Sequence, residues 1–146
     1  MGFQFSLAVV LRLRESVEKR EERALQSIQR DVRRTLQAIE DLSVAIGGAQ
    51  QARERALRQI ISGGQLQSLL WEEQAAEQGL SLLLGKLQVL EQEREKQMRV
   101  YQAAHRNREM LSDMRQKQKD IYERDRLRDE QKQLDDIFMA RRHRVV

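Results

Sequence analysis

Apolar residues recur along this chain in steps of three and four. Ala24, Ile28, Val32, Thr35, Ile39, Leu42, Ile46 and Ala49 form one such run, and Val10, Leu13 and Val17 keep the stride upstream. The run weakens around Arg20, which marks a discontinuity near Glu21. After Ser62-Gly63-Gly64 the stride resumes through Leu66, Leu69, Ala76, Leu80, Leu83, Leu87 and Leu90. It continues more sparsely through Tyr101, Ala104, Leu111, Met114, Ile121, Leu127, Leu134 and Phe138. A 3–4 alternation is the signature of helices packed along a heptad seam. The adjacent glycines readily supply the left-handed backbone that ends a helix. The pattern predicts an all-α fold, one long antiparallel two-helix coiled-coil hairpin over residues 1–146. Helix 1 is expected over about 5–61, a turn at 62–65, and helix 2 over about 66–141, its C-terminal end overhanging.

Folding at the glycine pair sets residue i opposite roughly residue 127 − i, and the paired section is then a rod about 80 Å long. Ile46 is expected against Leu80, Ile39 against Leu87 and Val17 against Met110. Arg94, Gln97 and Arg108 fall on the seam nearly opposite Arg33, Arg30 and Lys19, which softens the open end. The same rule puts Gly48 beside Gly79, with Gly47 and Gly85 close by, either as a hinge or as a tight helix crossing.

Composition narrows the function classes. The 146 residues include no proline and no cysteine, 34% charged residues and only 4% aromatic ones. That is enough apolar material for a seam and too little for a compact interior. Disulfides and thiolate metal sites are excluded. The net charge of +4 is mildly basic, and both signs interleave as on solvated coiled-coil faces, so nucleic acid is not an expected partner. Lys86 is the sole base between Gln59 and Glu93, against Glu72, Glu73, Glu77, Glu91 and Glu93, whereas Arg12, Arg14, Arg141, Arg142 and Arg144 gather at the open end. Phe3–Leu13 is a poor signal peptide and too short to span a bilayer. Met1-Gly2-Phe3-Gln4-Phe5-Ser6 fits the loose N-myristoylation pattern.

Little in the chain suggests catalysis. His105 and His143 are distant in sequence and lack a second ligand at metal spacing, and Glu72 and Glu73 point to different helix faces. No glycine loop has the spacing or lysine of a phosphate cradle. No enzyme activity, cofactor or metal is expected. Trp71, the single tryptophan, is rotated about 200° from Leu69 on a helix, either an outward interface anchor or a cap over the turn.

The two ends carry a resemblance. Phe3-x-Phe5-x-Leu7-x-x-Val10-Leu11-x-x-Arg14-x-x-x-Glu18 resembles the opening of the FliJ family of flagellar export proteins. Glu130-x-Lys132-x-Leu134-Asp135-Asp136, followed by Arg141 and Arg142, is similar to that family's C-terminal signature. The resemblance implies a coiled-coil stalk of the flagellar type III export apparatus, cytoplasmic and peripheral at the flagellar base. Its paired ends would enter and stimulate a hexameric export ATPase (FliI-like), and its turn end would reach the export gate (FlhA-like). A general chaperone or escort role toward export substrates is also implied. Phe3, Phe5, Arg14, Lys132, Leu134 and Asp135 lie in the matching motifs and, with Arg12, Arg141, Arg142 and Arg144, would face the ATPase ring. Leu69, Leu70 and Trp71 would face the gate. A stalk protein of a virulence secretion system, of the YscO type, and a structural coiled coil without a secretion role are the alternatives.

Overall fold

The structure, a computed structural model, describes residues 2–145; Met1 of the myristoylation pattern lies outside them. The fold is all-α, two long helices packed as an antiparallel hairpin. Helix α1 spans Ala8–Leu57 and helix α2 spans Gly63–Val145. No strand occurs among the described residues.

The chain enters α1 three residues later than the stride suggested. Ala8 N donates to Phe5 O at 3.1 Å and Leu11 N to Leu7 O at 2.8 Å, so the first turn forms only after Phe5 has been tucked inward. Helix α1 also ends earlier, at Leu57, where Arg58 N donates to Arg55 O (3.2 Å) and Gln59 N to Ala56 O (3.1 Å). These i→i+3 bonds tighten the final turn and use carbonyls that the helix would otherwise leave open.

The glycine pair does not end α1. Ser62 and Gln65 form a reciprocal capping box: Gln65 N donates to Ser62 Oγ at 3.2 Å, and Ser62 N donates to Gln65 Oε1 at 3.3 Å. Gly63 and Gly64 therefore sit in the first turn of α2, and no described glycine has a positive φ. The cap fixes where α2 begins, so the reversal falls on residues 58–62, N-terminal to the glycines. This corrects the expected turn at 62–65.

The chain forms two compact units, one of Glu21–Tyr101 and one of the chain up to Arg20 with the chain from Gln102 onward. The sequence boundary at Arg20/Glu21 coincides with the break in the heptad stride.

Within Glu21–Tyr101 every expected seam residue of α1, from Ala24 to Ala49, is buried or half-buried, as are Leu66 to Leu90 of α2. Leu25, Val32, Ile46 and Leu90 are the most buried apolar side chains. Buried Thr35 donates its hydroxyl to Asp31 O at 2.8 Å, which satisfies it within its own helix. The opposition rule drifts. Arg53 meets Glu73, as the rule nearly requires, but Gly79 lies under Leu42 and Gln97 meets Glu21. Gly48 is not beside Gly79, and a methyl group at Gly47, Gly48 or Gly85 would meet open space.

In the other unit, Phe5, Leu11 and Ala104 are buried, whereas Val10 and Leu13, expected on the seam, are exposed. The inward turn of Phe5 re-aims the first helical residues, and Leu11 takes the inner face. Every residue from 123 to 144 is exposed.

Candidate partner-binding surfaces

The open-end unit is built around Glu18. Arg108 donates through Nε to Glu18 Oε2 at 2.5 Å and through Nη2 to Glu18 Oε1 at 3.4 Å. His105 Nδ1 lies 3.1 Å from Glu18 Oε1, and His105 Nε2 lies 3.6 Å from Glu109. The Arg108 hydrogen bond pulls the Glu18 carboxyl below its ordinary range against the opposing effect of burial, and His105 adds to the pull. Sequence opposition had set Arg108 against Lys19 and Gln97 against Arg30. The structure supplies acids instead, with Gln97 Nε2 donating to Glu21 O (3.1 Å) and Glu21 Oε2 (2.7 Å) in the other unit. Gln97 and Arg108 are therefore cross-helix ties, whereas Arg94 is exposed. Glu18 lies one residue from the position that the rule selected, so that tie was nearly legible, whereas Glu21 lies nine residues from Arg30 and only the folded chain brings it to Gln97.

Phe3 and Phe5 belong to a short segment ahead of α1. The Phe3 ring sits 5.7 Å from Tyr122 of α2, tilted by 50°. Phe5 points inward and offers a partner little surface. Phe3, Phe5, Ala8 and Leu11 floor an open pocket of about 470 Å³, with Arg12, Glu15 and Arg115 among its other lining residues. Arg115 has no motif signal, because only the folded chain brings it to the N-terminal segment.

Lys132, Leu134, Asp135, Arg141, Arg142 and Arg144 form a separate group on the exposed part of α2. At 1.5 Å per residue, Lys132 lies roughly 15 Å along the helix beyond Tyr122. The ten expected ring-facing residues thus divide into two groups, Phe3, Phe5, Arg12 and Arg14 near the start of α1 and the other six on the tail. Leu134, Ile137 and Phe138 expose 61%, 52% and 68% of their surfaces, an apolar ridge of which the motif contained only Leu134.

At the turn end, Leu69 is half-buried and Leu70 exposed, while Trp71 is 63% exposed, the outward placement that a helix gives it beside an inward Leu69. Leu82 and Val89 follow Trp71 by eleven and then seven residues and are also exposed, so one narrow face of α2 carries all three. Leu57 and Ile60 expose further apolar surface in and before the reversal. Nearby, Arg53 Nη1 donates to both oxygens of buried Glu73, at 3.0 and 2.9 Å, tying the helices together just behind the turn.

Among the described residues no group of three or more His, Asp or Glu side chains could hold a metal ion, and no helix is long and apolar enough to cross a membrane. The family model described as flagellar FliJ protein matches residues 3–145. No curated protein and no solved structure matches the chain.

Proposed function

The chain belongs to the flagellar FliJ family and is a component of flagellar type III export, and from that premise we propose that it is a non-catalytic stalk linking a hexameric export ATPase to the export gate. The observation that carries this reading is the contrast between the two candidate surfaces. The unit containing the chain ends has 16 Lys and Arg against 11 Asp and Glu, a surplus of five positive charges, and an α2 tail exposed from residue 123 to 144. Glu21–Tyr101 has 11 against 12, and it presents Trp71 and Leu70 beside an acid-rich stretch. Opposite charge characters suit different partners.

In this proposal Arg12, Arg14, Lys132, Leu134, Asp135, Arg141, Arg142 and Arg144 contact the ATPase ring, with Phe3 and Phe5 holding the N-terminal segment in place. Leu69, Leu70 and Trp71 contact the gate. The protein works at the cytoplasmic base of the flagellum and meets the membrane only through these partners. Escort of export substrates or their chaperones is a further part of the proposal.

The test is ATPase stimulation by a variant with Arg12, Arg14, Arg141, Arg142 and Arg144 all reversed to Glu. Stimulation is expected to disappear while helicity is retained, because exposed charges add little to stability. Full stimulation by that variant would move the ring contact elsewhere. For the gate, Trp71→Ala is expected to weaken binding by about 1–3 kcal/mol and to leave ATPase stimulation unchanged.

A further inference from the structure

We propose that the C-terminal part of α2 pairs with the same segment of a second copy of this chain, antiparallel, through the ridge Leu127–Gln131–Leu134–Phe138. Residues 123–144 are helical and all exposed, and Leu127, Leu134 and Phe138 keep a 7–4 heptad stride with 61%, 61% and 68% exposure. Two properties of this segment select the occupant.

The first is its shape. Leu134, Ile137, Phe138 and Arg141, with Asp135 at the edge, line a shallow depression of about 360 Å³. Residues at that spacing form the four-sided hole into which a coiled-coil partner inserts one side chain. When Leu127 is aligned opposite Phe138 of an antiparallel copy, Leu127 of the second copy falls at the centre of the hole. The same alignment sets Gln131 opposite Leu134. Each contact occurs twice by two-fold symmetry.

The second is charge. In the antiparallel alignment the flanking positions set Arg128 against Asp135 and Glu123 against Arg144 of the second copy, each twice. A parallel pair retains an attraction between Glu123 and Arg128 but sets Glu130 against Asp135 and stacks Arg124 on Arg124. The antiparallel pair has like-charged layers only where Arg124 meets Arg141, once at each of its two solvent-exposed ends, which confines the tight contact to the central layers. Asp135 presently accepts from Gln131 of its own helix at 3.1 Å, a solvent-exposed bond that is readily exchanged. Three heptads alone are marginal as a coiled coil, but here each is the continuation of a formed helix, so no new helix must be nucleated. The pairing stands independently of the ATPase reading. If the ring uses this tail, the paired form withholds it.

Sedimentation equilibrium of the full chain tests the proposal. The weight-average mass is expected to rise from 17.2 kDa toward twice that value with concentration. Arg128→Asp and Asp135→Arg are each expected to weaken association by at least about tenfold, through two new like-charge contacts. An equimolar mixture of the two variants is expected to regain it, because both contacts become attractive again in the mixed pair. Both positions are exposed, so circular dichroism of each variant is expected to match the parent chain. A wild-type chain that stays monomeric at all concentrations, or variants that fail to recover on mixing, overturns the proposal.

Discussion

The unit formed by Glu21–Tyr101 and the unit that holds the chain ends are made of the same two helices and similar residues, yet they distribute their apolar side chains differently. In the first, the seam runs unbroken from Ala24 to Ala49 and from Leu66 to Leu90, and the exposed apolar residues lie on faces turned away from it. In the second, apolar burial is confined to Phe5, Leu11, Ala104 and their neighbours, and the seam is completed by the Glu18, His105 and Arg108 side chains. Apolar burial is strong and non-directional, so it stabilises one unit without specifying much about it. Charged ties stabilise less, but they demand particular partners at particular positions. The chain places its continuous apolar seam in one unit and its surplus of positive charge in the other.

The sharpest break of this comparison is a matched pair of truncations. Leu90→Ala is expected to lower unfolding stability by about 2–3 kcal/mol, the low end for leucine because a two-helix seam is open to water on both sides. Leu134→Ala, at a leucine 61% exposed, is expected to change stability by less than about 0.5 kcal/mol while weakening any contact made by the tail. Thermal and urea unfolding of both variants check this, and equal losses would dissolve the distinction between the units.

A smaller effect separates the ties themselves. Glu73→Gln keeps the side-chain shape but weakens the charge-assisted bonds from Arg53, and a loss of about 1–2 kcal/mol is expected in urea unfolding. Glu18 sharpens the comparison through pH. Its folded carboxyl titrates below the unfolded value of 4.5, chiefly because Arg108 hydrogen-bonds the ionised form. A depressed folded value means the stabilisation is fully present well above pH 4.5 and is lost as the pH falls through and below it. Glu18→Gln is therefore expected to lower stability at neutral and alkaline pH by a constant amount and to flatten the acid side of the stability–pH curve.

The smallest effects concern glycine. Gly48→Ala fills open space inside a helix and is expected to raise stability by about 0.5–1 kcal/mol. Gly79→Ala places a methyl group 3.3 Å from Leu42 Cδ2, so it is expected to gain less than Gly48→Ala or to lose stability. A Gly48→Ala variant that is more stable yet defective in secretion would show that softness at this point is used.

Two long helices and the alignment of the Ala24–Ala49 seam were legible in the chain, because helical periodicity is a local property that each stretch carries by itself, whereas the sequence left Trp71 either outward or over the turn. The break near Glu21 was legible for the same reason. The end motifs were enough to indicate the family. The location of the reversal was misread because two glycines are a generic breaker signal, whereas Ser62 and Gln65 make a specific reciprocal cap that holds those glycines inside α2.

The sequence by itself thus determined the helices, the inner face of the seam within Glu21–Tyr101 and the positions where polar residues interrupt it. Only the tertiary structure decided which residues meet across the seam. Opposition counted from a presumed turn accumulates every error in the location of that turn and every change in helix path. That is why Gly79 faces Leu42 instead of Gly48, and why Arg108 finds Glu18 instead of Lys19. The burial of Phe5 and the contact of Phe3 with Tyr122 likewise depended on the folded chain, since they join segments more than a hundred residues apart, and no local periodicity records such a distance.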